Sequence, residues 1–329
     1  MNKKKVRGFI TELLKKGEVY APVKKSGRIL VEKIDKSEQI NWSGKIPNNT
    51  FKSIVLPPKE ELFSWKKGQK NINTIEPKQK KTFVLGINIL DLQALALLEQ
   101  VFEKDYYFQK RRQNIYYIGF TGGLVSDFRR YKVFHQKYEE DVLEHLIFDV
   151  FIEKQKNNNH LFFSGSEKGQ RLLENNKIKD YENIEFAGLI PEEGADPRIE
   201  ENKQAVLLNP NHPLWDELAR ICLGCGRCTL DCPTCFCFDQ QDEKGGETIV
   251  KTRKWGSCLF PEFSKVAGGK KDLETIKKRL YFWYYHKFVR IADEYNYYGC
   301  VSCMRCFKTC PVAINIAKNL QKLKKAKKK

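Results

Sequence analysis

Cysteine is missing from the first 221 residues of this 329-residue chain; all eleven lie between positions 222 and 310. With no secretory signal either, this distribution argues against a disulfide-stapled fold. Long apolar runs are also missing, since none reaches the ~18 residues that span a bilayer. The start, Met1-Asn2-Lys3-Lys4-Lys5, is basic. It passes into the mixed segment Phe9-Ile10-Thr11-Glu12-Leu13-Leu14 without a cleavage-site pattern. A soluble, cytoplasmic protein is the expectation. Histidines number only five, and His135, His145 and His160 have no ligand spacing. Nucleotide fingerprints are lacking as well. Phe120-Thr121-Gly122-Gly123 follows a strand-like run, but it fits neither the Rossmann nor the Walker pattern and reads as a plain turn.

What the last third contains is one cysteine phrase written twice. The first copy is Cys222-x-x-Cys225-x-x-Cys228-x-x-x-Cys232-Pro233, and the second is Cys300-x-x-Cys303-x-x-Cys306-x-x-x-Cys310-Pro311. This is the bacterial ferredoxin spacing for a [4Fe–4S] cluster. Each iron of a cubane needs one outer thiolate. Three cysteines two residues apart wrap a loop around one cluster, while the fourth, before proline, points to the other cluster in two-cluster domains. The expected ligands are therefore Cys222, Cys225, Cys228 and Cys310 for one cluster, and Cys300, Cys303, Cys306 and Cys232 for the other. Zinc ribbons also use Cys-x-x-Cys pairs, but they rarely use four cysteines per phrase with a closing Cys-Pro. Two [4Fe–4S] clusters mean single-electron transfer, and oxygen-sensitive clusters agree with a reducing, anaerobic setting. Cys235, Cys237 and Cys258 fall outside both phrases. They read as packing residues, with cluster surroundings or a third metal as alternatives.

The formal net charge is +18. Much of the local excess is in Lys322-Leu323-Lys324-Lys325-Ala326-Lys327-Lys328-Lys329, which reads as a solvated end, not as a nucleic-acid or membrane anchor. Two oxidised clusters with their thiolates would remove roughly four charges. A surface that stays basic favours acidic partner proteins.

The fold class read from the pattern is α+β. An N-terminal α/β domain with a mixed sheet (1–205) is followed by a mostly helical two-cluster ferredoxin domain (206–320) and a basic tail (321–329). Val19–Val23, Ile29–Val31, Thr82–Ile87, Ile115–Gly119 and Leu146–Ile152 read as strands. Leu90–Phe102 reads as a helix with Leu90, Ala94, Leu97, Leu98 and Val101 on one face, which makes a βαβ unit. Residues 39–80 are polar and read as a surface loop. Gly169–Asn175 starts a short helix. Asn211 and Pro213 suit the start of a lead-in helix carrying Leu214, Leu218 and Ile221. Asp272–Val289 reads as a helix between the phrases, with His286 as a core histidine.

Several stretches carry a family resemblance. They are Cys232-Pro233-Thr234-Cys235-Phe236-Cys237-Phe238-Asp239, Trp255-Gly256-Ser257-Cys258-Leu259-Phe260, Ala267-Gly268-Gly269 and Tyr285-His286-Lys287-Phe288. Val19–Val23, Ile87–Phe102 and Ser164–Gly169 add to it. Together they resemble the iron–sulfur beta subunit of cytoplasmic [NiFe] hydrogenases of the sulfhydrogenase type, and they are similar to the corresponding subunit of anaerobic sulfite reductase. The chain departs from the resemblance at two runs. Ile87-Asn88-Ile89-Leu90-Asp91 stands where relatives often have Arg-Pro-Cys-Asp, and Gly119-Phe120-Thr121-Gly122-Gly123 stands where they often have further cysteines.

The resemblance implies an electron relay without catalytic residues of its own. Its partners would be a flavin subunit handling NAD(P)H and the small and large subunits of a [NiFe] hydrogenase. The nearest alternative passes electrons to a sirohaem subunit of sulfite reductase. A lone catalytic reductase and a nucleic-acid-binding protein with structural clusters are the readings from other classes; no nucleic acid is expected. The chain has no nickel-type cysteine pairs beyond its ferredoxin set, which agrees with a relay.

Overall fold

The computed structural model describes residues 2–77, 79–121, 142–155, 157–190 and 194–326. Gly122, Gly123, His135 and Lys327–Lys329, named above, lie outside the described residues. The chain divides into two compact units. One comprises Met1–Val55, Lys78–Asp196 and Val301–Cys303, and the other Leu56–Pro77, Pro197–Cys300 and Met304–Lys329. Among the described residues no helix is long and apolar enough to cross a membrane. The strands, in chain order, are β1 (Glu18–Lys25), β2 (Arg28–Ile34), β3 (Lys59–Lys66), β4 (Ile72–Thr74), β5 (Thr82–Ile87), β6 (Ile115–Thr121), β7 (Val150–Lys154), β8 (His160–Ser164), β9 (Glu182–Asn183), β10 (Phe238–Gly245) and β11 (Thr248–Trp255).

The first unit holds a mixed sheet in the order β2-β1-β5-β6-β7-β8-β9. β1, β5, β6 and β7 run parallel, while β2 and β8 are antiparallel to their neighbours β1 and β7. The interior strand β5 buries Thr82–Leu85 and Ile87, as a strand covered on both faces requires. The crossover to β6 uses the helix Ile89–Val101, whose start is fixed by Asn88; its side chain accepts the Asp91 N–H at 3.1 Å. One face of this helix was expected to be apolar, but every residue from Ile89 to Leu98 is buried. It is therefore an enclosed helix. Phe9, Ile10 and Leu13 of the helix Lys3–Lys16 join Phe83, Leu85, Ile118, Val150 and Ile152 in one core.

Both departures from the resemblance have structural work here. The run at 87–91 ends a strand and caps a helix. At Gly119 a Cβ would collide with the Phe151 ring. The expected strand at Leu146–Ile152 starts only at Val150. Asp149 before it turns its carboxylate to the Tyr117 N–H and the Ser166 hydroxyl, both at 2.8 Å.

The second unit contains an antiparallel sheet in the order β10-β11-β3-β4. This corrects the expectation of a loop across 39–80, because β3 and β4 form in that stretch. In β3 Leu62 is the one buried apolar residue, so the strand shows no apolar alternation. The backbone ladder to β11 holds it, together with a buried ion pair in which Arg253 meets Glu60 at 2.6 Å, the two side chains being 5% and 8% exposed. Removing one partner strands a buried charge. Glu60→Ala is expected to cost about 3 kcal/mol, seen as a lower urea midpoint for this unit.

The rest of the second unit is helical. The lead-in helix is Leu214–Ile221, and His212, not Asn211, serves its first turn: Nδ1 accepts the Leu214 N–H at 3.0 Å. The expected helix between the phrases starts after Thr275, runs from Ile276 to Tyr285, widens into a π-helical segment at His286–Arg290 and resumes at Ile291–Tyr295. Trp215, Leu218, Leu259, Leu280, Trp283 and Tyr284 form a core, and Cys222, Cys228, Cys300, Cys306 and Cys310 pack against it. The basic end differs from a solvated tail. The helix Ile316–Ala326 buries Leu320 and Leu323, and its Lys322 and Lys324 pair with Glu217 at 3.0 Å and Glu201 at 2.8 Å.

Candidate metal centre

The helix Leu214–Ile221 sets the start of the first cysteine loop. Leu214, Trp215 and Leu218 are buried, and the Trp215 indole N–H donates to the Asn209 carbonyl at 2.7 Å. At Cys222 the backbone turns extended. The chain then winds through two left-handed residues, Gly224 (φ +62°) and Gly226 (φ +71°), into the short helix Arg227–Leu230. A Cβ on Gly226 would run into the Phe260 ring, so glycine is required there for space as well as for φ. The Gly224 N–H points back at the Cys222 sulfur, 3.5 Å away.

The second phrase repeats this trace with other residues. Ser302 (φ +54°) and Met304 (φ +62°) occupy the left-handed positions that Gly224 and Gly226 hold in the first, and the short helix Arg305–Thr309 follows. Left-handed backbone costs a non-glycine residue roughly 1–2 kcal/mol. Retaining it in Ser302 and Met304 shows that the loop shape is imposed by its surroundings.

Cys310 of the second phrase lines one cavity with Cys222, Cys225 and Cys228 of the first; Leu259, Leu280, Trp283 and Ile314 supply apolar walls. The Ile314 N–H donates to the Cys310 sulfur at 3.4 Å. Burial first, then the neighbouring Cys222 and Cys310 sulfurs, push the Cys228 thiol up to about 12. Such a thiol keeps its proton until a metal replaces it, so loading releases protons. Four thiols from two phrases around an apolar-walled cavity fit a cubane, which takes one thiolate at each of four separated irons. Among the described residues no three or more His, Cys, Asp or Glu side chains are grouped as a single metal ion requires.

Cys232 is buried elsewhere in the second unit. Its sulfur receives the Lys287 ammonium at 3.3 Å and lies 3.2 Å from the Thr234 hydroxyl. Lys287 and Thr234 both donate to the carbonyl of Gly299, each at 2.7 Å, and Gly299 directly precedes Cys300. The end of the first phrase is thus tied to the start of the second. Cys303 is 8% exposed, while Cys300 and Cys306 are half-buried.

The remaining cysteines divide. Cys235 lies against Cys232; this contact first, and burial second, hold its thiol well above the usual range. Cys258 is 3% exposed in the core, and contact with Cys237 followed by burial raises its thiol in the same way. His286 stacks on Phe282 and meets the edge of Phe236, and burial lowers its imidazole to about 4. It is therefore neutral at pH 7. Sequence reading missed Lys287. The signal was there, because Leu280, Tyr284, Lys287 and Ile291 follow helical spacing and place a lysine on the apolar face.

Residues 221–314 match the family model described as the 4Fe-4S dicluster domain, so this stretch is an iron–sulfur domain of the electron-transfer class. Beyond this domain, the similarity to a known protein extends over nearly the whole chain. The chain is 26% identical to sulfhydrogenase 2 subunit beta of Pyrococcus furiosus over 329 aligned positions, which cover 96% of this chain and 95% of the relative. No solved structure matches the chain significantly.

Proposed function

We propose that this protein relays electrons through two [4Fe–4S] clusters between a flavin subunit linked to NAD(P)H and a [NiFe] hydrogenase module, as a cytoplasmic subunit of their complex. The observation that carries the reading is the cavity where Cys310 joins Cys222, Cys225 and Cys228. These four would hold one cluster, and Cys300, Cys303, Cys306 and Cys232 the other. Each cluster, when bound, takes up and returns a single electron. The chain's part is to set Cys222, Cys228 and Cys310 against the apolar core and to aim backbone N–H groups at Cys222 and Cys310. Hydrogen and nucleotide chemistry would belong to the partner chains.

Anaerobic reconstitution should give about eight irons and about eight labile sulfides per chain. A value near four, or stoichiometric zinc, would refute the two-cluster reading. Cys232→Ser should perturb the cluster held by Cys300, Cys303 and Cys306 and leave its sequence neighbours' cluster unchanged. Spectra of the reduced variant that show damage only to the cluster of Cys222, Cys225 and Cys228 would reverse the assignment.

A further inference from the structure

Lysine is among the residues least often fully buried, and it is buried only with partners. Lys287 is 2% exposed. An ammonium carries three donors and no acceptor, and here each donor has a target. The Cys232 sulfur is at 3.3 Å, the Thr234 hydroxyl at 2.9 Å and the Gly299 carbonyl at 2.7 Å. Two structural features deliver the group. Lys287 sits in the π-helical segment His286–Arg290, and such widenings are frequent at functional sites. Gly299 lets the second phrase approach, since a Cβ there would collide with the Lys287 carbonyl oxygen. Cys310, the corresponding closing cysteine of the second phrase, accepts instead from a neutral backbone N–H. The two closing cysteines therefore differ by one buried positive charge.

We propose that Lys287 is a positioning residue that sets the two clusters apart, making the one to which Cys232 belongs the easier to reduce. The inference rests on the ligand assignment above. Reduction adds a negative charge to the cluster, and both the ammonium charge and its N–H···S bond favour the more negative form. Charge and hydrogen bonds at the sulfurs are among the factors that set cluster potentials. An electron path with two unequal steps would follow from this placement.

The test is a redox titration of the anaerobically reconstituted full chain, followed by the spectra of the reduced clusters. Lys287→Gln is expected to make one cluster about tenfold harder to reduce, a shift of about 59 mV to lower potential, and to leave the other unmoved. Lys287→Arg, which keeps the charge, should shift it less. Two unmoved potentials in a fully loaded Lys287→Gln protein would overturn the proposal. If the neutral variant loads only one cluster, the wild type labelled with 15N-lysine decides. A lysine nitrogen magnetically coupled to a reduced cluster and lost in Lys287→Arg supports the proposal, and the absence of such coupling defeats it. Cys232→Ser, run alongside, separates the two ideas. If it leaves both clusters intact, the ligand assignment has failed. If it disturbs one cluster while Lys287→Gln moves nothing, only the role of Lys287 has failed.

Discussion

In the assembled complex, Cys303→Ala is expected to reduce NAD(P)H-linked hydrogen turnover to background while hydrogen oxidation with a direct dye acceptor continues. The buried Cys303 is the middle thiol of the second phrase. Without it one iron loses its protein ligand, and bound iron should fall from about eight towards about four per chain. No other cysteine takes its place by spacing, since Cys235, Cys237 and Cys258 all lie between the phrases. The dye assay checks that the hydrogenase module itself is undamaged. Full NAD(P)H coupling in the variant would place the cluster off the electron path, and the relay reading would fail.

Gly226→Ala is expected to abolish loading of the first cluster, with about four irons left per chain. Two effects must be separated. The left-handed conformation (φ +71°) would cost alanine roughly 1–2 kcal/mol, and Met304 bears the same conformation in the second phrase. Conformation alone is therefore survivable. The decisive effect is the new methyl group meeting the Phe260 ring, which must displace either the ring or the loop carrying Cys225 and Cys228. Phe260→Ala in the same protein should restore much of the iron. If the double variant stays as poor as the single one, backbone strain is the larger effect and the steric account is wrong.

The cysteine phrases were legible because their chemistry is written in spacing alone, and the same holds for β5, the helix after it and β6, whose apolar runs are local. The partnership of β3 with β11 was hidden. Its register joins Lys59–Lys66 to residues almost 190 positions later, and its strand has one buried apolar residue where alternation would show several. The π segment was hidden for another reason. A helix that gains one residue in a turn keeps the same composition, so the pattern from Asp272 to Val289 read as one unbroken helix. Lys287 belongs to the same lesson, since a lysine on an apolar stripe looks like an exception until its three acceptors are known. The helix to Ala326 was masked by its lysines, although Leu320 and Leu323 carry its buried face.

The bond from the Thr234 hydroxyl to the Gly299 carbonyl joins residues 65 positions apart. The excursion between them leaves and re-enters the cysteine framework at nearly one point; Leu259, Leu280, Trp283 and Lys287 pack back onto the framework, whereas the tip between β10 and β11 does not line the cavity. Closing a longer excursion between fixed ends adds little entropy, about 0.6 kcal/mol for each doubling. The exposed hairpin tip at Gly245 and Gly246 is accordingly where this protein can accept added sequence, such as an affinity handle or a fluorescent tag, without disturbing a thiol.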